Sequence, residues 1–313
     1  MSRYKIIINP TSGRGAGQRA ITPIEQMLRE HQLDFEIALT ERPWHAAELA
    51  QQAAADGFDI VVAVGGDGTA NEVLNGLMLA KRAGIANVAM GVLSVGRGND
   101  FAFGVDVPRD LAAGCRVLAQ NRRRVIDIGL ATGGLHPEGR YFGNGVGIGF
   151  DAVVGFVAVK MKRLSGFPSY IVAALKTIFL YYRAPLVKIE FDGQTITQRA
   201  LMVSTMNGRR LGGGFKMSEH GKTDDGLFDL TIARQVSRAK ILALIPKFLQ
   251  GTQASDPAVQ IAQARRVVVT ALEGVLPAHI DGETLCVEGK QLTLELAPRQ
   301  IEIVTVASQE DAR

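Results

Sequence analysis

Apolar and polar positions along the first 110 residues alternate between short apolar runs and longer amphipathic stretches. Residues 4–9 (YKIIIN), 34–40 (DFEIALT), 58–64 (FDIVVAV) and 87–93 (NVAMGVL) have the length and apolar content of strands. Between them, residues 17–31, 45–57 and 69–84 carry helical spacing. In the last of these, Val73, Leu74, Leu77 and Ala80 share one face, and Gly57 stands where the second stretch stops. The continuous apolar run at 58–64 is what a strand covered on both faces requires. Strands alternating with helices predict an open parallel sheet with helices on both sides.

The pattern changes after about residue 120. Strand-like runs then follow one another with few helices: 125–132, 140–149, 186–207, 227–233, 262–272, 276–283 and 291–297. Asp192-Gly193 between alternating runs is a hairpin signal. Helical stretches interrupt this half near 152–183 and 237–250. The expected architecture is therefore α/β plus mainly β. An α/β domain over residues 1–124 is followed by an antiparallel, β-rich domain over 125–313. The last strand-like run, 299–307, can pair with either domain.

Composition adds little. Hydrophobic residues make up 47% and charged residues 21% of 313, ordinary globular values, with a net charge of +4. The basic clusters (Arg122 to Arg124, Arg209-Arg210, Arg265-Arg266) are not interleaved with aromatics, which speaks against a nucleic-acid partner. Cys115 and Cys286 form no C-x-x-C pair, so neither a zinc site nor a disulfide framework is expected. The five histidines are scattered without metal-binding spacing, and His45, His220 and His279 need no catalytic role. The chain enters a strand with no signal-peptide pattern, and residues 170–182, interrupted by Lys176, are too short to span a bilayer. A cytoplasmic protein with disorder confined to residues 308–313 is expected.

The chemistry concentrates at strand ends, where open α/β sheets bind ligands. Four such ends carry polar or glycine-rich segments: 9–17 (NPTSGRGAG), Thr40, 65–69 (GGDGT) and 94–100 (SVGRGND). Glycines let backbone N–H groups approach phosphate oxygens, and the following helix adds its positive end. Thr69 with Glu72 fits a capping box. An aspartate in a phosphate loop repels phosphate unless a cation intervenes, which makes Asp67 a candidate Mg²⁺ contact. The chain has no G-x-x-x-x-G-K-S/T loop, and residues 143–149 (GNGVGIG) lack the GxGxxG spacing.

Six segments in order resemble the diacylglycerol kinase catalytic-domain family, which includes bacterial lipid kinases, sphingosine kinases and ceramide kinases. They are INPTSGRG (8–15), VGGDGTANEVLNGL (64–77), GRGNDFA (96–102), GNGVGIGFDA (143–152), GGGFKMSEHGKTDDGLFDL (212–230) and HIDGE (279–283). The resemblance implies a two-domain fold with substrate in the cleft between domains, ATP with Mg²⁺ as donor and a membrane lipid hydroxyl as acceptor. By position, Asn9, Thr40, Gly65, Gly66, Asp67, Gly68 and Thr69 would contact the nucleotide. Asp100 and Asp127 would join Asp67 in a water-linked magnesium network. Asp225, with the carbonyls of Lys222 and Leu227, matches a structural Mg²⁺ site. Glu283 matches the proton acceptor of bacterial members, with Asp67 as its rival.

Three positions depart from the family pattern. Arg97 replaces a usual Thr, where it adds a guanidinium to the phosphate site or displaces a hydroxyl; Ser94 replaces a usual Pro, and SEHG (218–221) replaces P-x-A. The expected activity is phosphorylation of diacylglycerol or a related lipid alcohol. Alternatives are a sphingoid-base or ceramide kinase, a soluble enzyme of the NAD kinase type, and a nucleotide-binding protein with impaired turnover. Residues 156–185, with Lys160, Lys162, Arg163, Lys176 and Arg183, read either as a basic amphipathic surface for anionic membrane or as packed helices with solvated lysines. A homodimer is suggested by analogy alone.

Overall fold

The computed structural model describes residues 2–85, 88–159, 167–180, 184–218 and 220–306. The chain divides into two compact units. One takes the residues up to Asp127 and those from Arg299 onward; the other is Ile128–Pro298.

The first unit begins with β1 (Arg3–Ile8), α1 (Ser12–Glu30), β2 (Asp34–Leu39), α2 (His45–Ala55), β3 (Ile60–Gly65), α3 (Asp67–Arg82) and β4 (Ala89–Ser94), followed by α4 (Asp100–Gly104) and α5 (Leu111–Gln120). The strands pair in parallel in the order β2-β1-β3-β4, the open sheet that the alternation predicts. All six residues of β3 and of β4 are buried, as strands covered on both faces must be. Ile6, Ile8, Val62 and Val64 pack against Ile24 and Leu28 of α1 and Leu118 of α5. On the other face α2 lays its alanine stripe against α3. A Cβ on Gly76 would collide with the Ala47 carbonyl, so this approach depends on glycine.

Two helix starts differ from the periodicity. Helix α3 begins at Asp67, with extended Gly66 as its N-cap, so Thr69 lies inside the first turn and the capping box does not form. Glu72 instead accepts a bond from Ala46 N at the start of α2 (3.2 Å). The interhelix contact wins because α2 packs directly over this turn. Helix α1 nominally starts at Ser12, but Gly13, Arg14 and Gly15 all have positive φ (57°, 58° and 84°). Regular helix therefore resumes only beyond Gly15, close to the predicted residue 17.

The second unit contains β5 (Arg123–Gly133, leaving the first unit at Asp127), β6 (His136–Phe142), β7 (Gly145–Gly149), α6 (Phe150–Val159), α7 (Phe167–Leu180), β8 (Leu186–Phe191) and β9 (Gln194–Met206). After the short β10 (Arg210–Leu211) and β11 (Phe215–Lys216) come β12 (Phe228–Arg234), α8 (Arg238–Gln250), β13 (Val259–Ala264), β14 (Arg266–Glu273), β15 (Leu276–Ile280), β16 (Glu283–Gly289) and β17 (Gln291–Val304). Asp192-Gly193 makes the predicted tight turn, with Phe191 opposite Gln194. Strand β9 changes partners along its length: residues 194–199 pair with β8, and 202–206 pair with β7 and β12. One core lies among the strands, with Phe142 and Phe228 stacked 5.4 Å apart. A second joins α6, α7 and α8 to β9. Ser237 caps α8 through Lys240 N, and buried Asp256 takes Lys240 (2.6 Å) and Lys247 (2.9 Å), tying the helix to the loop that follows it.

The last part of β17 belongs to the first unit. Ile303 lies parallel to Met90 of β4, and Val304 joins the α1/α5 core. Of the proposed amphipathic surface, Lys176 is exposed on α7 beside exposed Leu175; Lys160, Lys162, Arg163 and Arg183 lie outside the described residues, as do residues 308–313. No helix among the described residues is long and apolar enough to cross a membrane.

Candidate active site

Three of the four polar strand ends in the first unit are held together by backbone contacts. Val95 N and Gly96 N both donate to Gly65 O at 3.0 Å, joining the β3 and β4 loops. A Cβ on Gly96 would collide with Gly66 Cα, and one on Gly13 would collide with Val95 O. The positive φ of Gly13 and this contact together demand glycine there. Asn9 joins the first and second loops: its Nδ2 donates to Thr69 Oγ1 (3.1 Å), while its Oδ1 accepts from Thr11 N and Oγ1. Thr69 in turn sits where a Cβ on Gly65 would be. Thr40 N donates to Ile8 O (2.9 Å), which puts Thr40 beside the end of β1. Arg97 is exposed at the tip of the third loop. Ser94 Oγ is buried at the end of β4 and has no hydrogen-bond partner among the described residues.

The carboxylates near these loops have distinct settings. Asp67 Oδ1 accepts from Phe101 N (2.9 Å), so the GGDGT loop also fixes the start of α4. Its Oδ2 lies on the Gly98 side, 2.7 Å from where a Cβ of Gly98 would be; Asp100 Oδ2 lies 3.5 Å from the same point. Gly68 occupies the first turn of α3. Asp127 is fully buried and accepts from Arg299 N (2.7 Å). No group of three His, Cys, Asp or Glu side chains close enough to hold one metal ion occurs among the described residues. Asp67, Asp100 and Asp127 therefore do not form a directly shared cage.

In the second unit Glu283 opens β16, exposed, beyond the tight turn Asp281-Gly282. Both turn residues have positive φ (46° and 85°), the backbone of a two-residue hairpin. Asp281 does more than turn the chain. Its buried carboxylate accepts from Gly143 N (2.9 Å), Asn144 N (3.0 Å) and Gly145 N (2.8 Å). The GNG segment at the start of β7 is thus clamped by a residue far along the chain. The loop 222–227 precedes β12; Asp225 Oδ1 accepts from Leu227 N (3.1 Å), and Asp225 and Lys222 are exposed.

Sequence reasoning missed two features here. The Asp281 clamp is one, although paired glycines at 143 and 145 mark a backbone approached closely. The other is a buried polar cluster of Asp151, Ser204 and His279. His279 Nε2 lies 3.8 Å from Asp151 Oδ2, and Ser204 Oγ lies 3.4 Å from the same oxygen. Burial pushes the Asp151 carboxyl up to about 7 and the His279 imidazole down to about 4.

Residues 3–131 match the diacylglycerol kinase catalytic domain, and residues 144–305 match the YegS C-terminal NAD kinase beta sandwich-like domain. The diacylglycerol kinase of Bacillus subtilis (strain 168) is 30% identical over 286 residues, covering 90% of each chain. The chain belongs to the diacylglycerol kinase family. A further member, the diacylglycerol kinase of Staphylococcus aureus (strain bovine RF122 / ET3-1), is 27% identical over 282 residues, 90% of this chain and 86% of that one. The fold agrees: the crystal structure of a diacylglycerol kinase from Bacillus anthracis str. Sterne superposes with a TM-score of 0.73 at 22% identity, with 97% of both chains covered. As a family member the protein is a lipid kinase, a phosphotransferase acting on a lipid with a nucleotide donor. Three of the six family segments lie in the first unit and three in the second.

Proposed function

We propose that the protein transfers the γ-phosphate of ATP, with Mg²⁺, to the hydroxyl of a membrane lipid, diacylglycerol or a closely related lipid alcohol. The observation that carries this is the junction of the 9–17, 65–69 and 94–100 loops, where glycine is sterically required and two carboxylates flank Gly98. Phosphoryl transfer calls for positioning and charge neutralisation rather than covalent chemistry. Loop N–H groups and the N-terminal end of the 16-residue helix α3 suit the triphosphate. Asn9, Thr40, Gly65 to Thr69 and Arg97 are its proposed contacts.

The residues present fit a magnesium ion held partly through water, since Asp67 and Asp100 offer hard oxygen ligands at one glycine. Mg²⁺, when bound, would neutralise charge on the phosphates. Asp127, buried and bonded to Arg299 N, would act from the outer shell. A second ion would use the Asp225 carboxylate with the carbonyls of Lys222 and Leu227.

The setting of the two rival bases separates their roles. Asp67 has one oxygen committed to Phe101 N, which suits a fixed ligand. Glu283 is exposed at a hairpin end, free to meet a lipid hydroxyl and accept its proton. Glu283 is therefore the proposed base. Lys176 and Leu175, exposed side by side on α7, are proposed contacts with anionic membrane.

The test is transfer of labelled γ-phosphate from ATP, with Mg²⁺, into dispersed diacylglycerol, sphingosine, ceramide and NAD. Labelled phosphatidate from the wild type, lost in Asp67→Asn and Glu283→Gln, is the expected result. Label in NAD alone sinks the lipid reading. Full activity in Glu283→Gln moves the base to Asp67.

A further inference from the structure

The second unit buries a polar cluster that the proposed chemistry does not use. Asp151 stands in the first turn of α6, Ser204 on β9 and His279 on β15; His279 and Ser204 are buried, and Asp151 is nearly so. Space for the pair is cleared by Gly147 of β7, where a Cβ would collide with both Asp151 Oδ2 and His279 Nε2. His279 also sits at an irregularity. The β15–β16 ladder shifts register between Ala278 and His279, leaving Leu285 as an extra residue opposite. Such bulges re-aim a side chain and bend a strand. His279 Nδ1 is buried and has no hydrogen-bond partner among the described residues, a cost that a purely structural position would be expected to avoid.

One member of the cluster, His279, lies on the hairpin that bears Glu283. Strand β15 pairs with β7 through Ala278–Ile148, His279–Gly147 and Ile280–Val146, then turns at Asp281-Gly282 into Glu283. The hairpin is consequently gripped on β7 at two places. Asp281 takes the N–H groups at 143–145, and His279 with Asp151 closes over Gly147.

We infer that Asp151 and His279 are positioning residues, seating the β15–β16 hairpin on β7 and so fixing where Glu283 stands. The protonated Asp151 carboxyl is the seated form. It accepts from Ala152 N (2.9 Å) and keeps a proton for the His279 ring or the Ser204 hydroxyl. The elements packed on the pair bring Ser204 and glycine to it, and among the described residues no neighbouring charge acts on either group; burial is the first cause of both shifts. Loss of the proton above about pH 7 leaves a buried carboxylate beside a neutral ring, and the seat loosens. This inference rests on Glu283 as the base.

The experiment measures steady-state lipid phosphorylation from pH 5.5 to 9 for the wild type and for Asp151→Ala, Asp151→Asn, His279→Leu and His279→Gln, with Glu283→Gln alongside. Expected for Asp151→Ala and His279→Leu is a fall in kcat of about ten- to a hundredfold, as for a slightly misplaced catalytic group, with KM for ATP within about twofold of wild type. Asp151→Asn and His279→Gln, which keep the polar shape, recover most of the loss. The wild-type kcat declines above pH 7, and Asp151→Asn, permanently neutral, removes that decline. Full kcat in both truncated proteins, or the same alkaline limb in Asp151→Asn as in the wild type, overturns the inference. Should either truncated protein fail to fold, the pH profile of the two conservative variants decides alone. Activity in Glu283→Gln removes the base assignment itself. An inactive Glu283→Gln beside fully active Asp151→Ala and His279→Leu removes only the positioning role.

Discussion

The two units hold their functional loops by opposite means. In the first, backbone holds backbone: Gly66 lies against Gly96, Gly13 against Val95 O, and Gly65 O takes two N–H groups from the β4 loop. In the second, buried side chains hold backbone: Asp281 grips 143–145, and His279 with Asp151 closes over Gly147. The first arrangement tolerates no side chain at Gly13 or Gly96. The second adds buried carboxyl groups around the hairpin that leads to exposed Glu283, and burial pushes one of them, Asp151, up to about 7.

Breaking the backbone junction should have the largest effect on ATP binding. Gly96→Val puts a branched side chain into Gly66, and overpacking of about 1–3 kcal/mol at the loop junction should weaken ATP binding by up to about a hundredfold. Calorimetric titration checks this, with circular dichroism confirming that the sheet persists. An affinity within twofold of wild type would mean that the loops separate without consequence for the nucleotide.

Breaking the carboxylate clamp should do the reverse. Asp281→Ala leaves three buried N–H groups without an acceptor, at about 1–3 kcal/mol each before relaxation and water entry. Hydrogen exchange should accelerate at 143–145 and along β15, while ATP affinity stays within about twofold. Equal loss of ATP binding would erase the contrast between the units.

The smallest effect sharpens the titratable half. The folded-state value for Asp151, about 7, lies above its unfolded value near 3.8, so the folded chain holds the proton more tightly. That contribution to stability is complete below pH 4 and is lost as pH rises through 7. Asp151→Asn has no such loss. Its melting temperature relative to wild type should climb by a few degrees between pH 4 and 8. A constant difference across that range would show that the carboxyl is already solvated.

The same contrast explains what could be read from the sequence. The parallel sheet was legible because β3 and β4 are apolar without interruption, and the nucleotide loops because glycine itself is the signal there. The hairpin at Asp192-Gly193 was equally local. The start of α3 was misread: Thr69 and Glu72 have capping-box spacing, but Glu72 is taken by Ala46 N of a helix that only the tertiary fold brings near. Asp281-Gly282 is a common turn dipeptide and does turn the chain here, while the grip of Asp281 on the GNG segment 136–138 residues away leaves no mark in local spacing. The Asp151–His279 pair was invisible for the same reason. A lone histidine in an apolar strand carries no sign of the carboxyl that α6 lays over it.

The hydrogen bond from Arg299 N to Asp127 stitches together the point where the chain leaves the first unit and the point where it returns. Residues 128–298, the whole second unit, are inserted in sequence between these two points. On a ribosome the parallel sheet would wait, with the β4 edge open, until more than 170 further residues had emerged and Ile303 and Val304 could close it. Completion of the nucleotide unit is in this way made conditional on synthesis of the β-rich unit, so a chain truncated before its last strand would have neither a finished sheet nor the Asp127 seam.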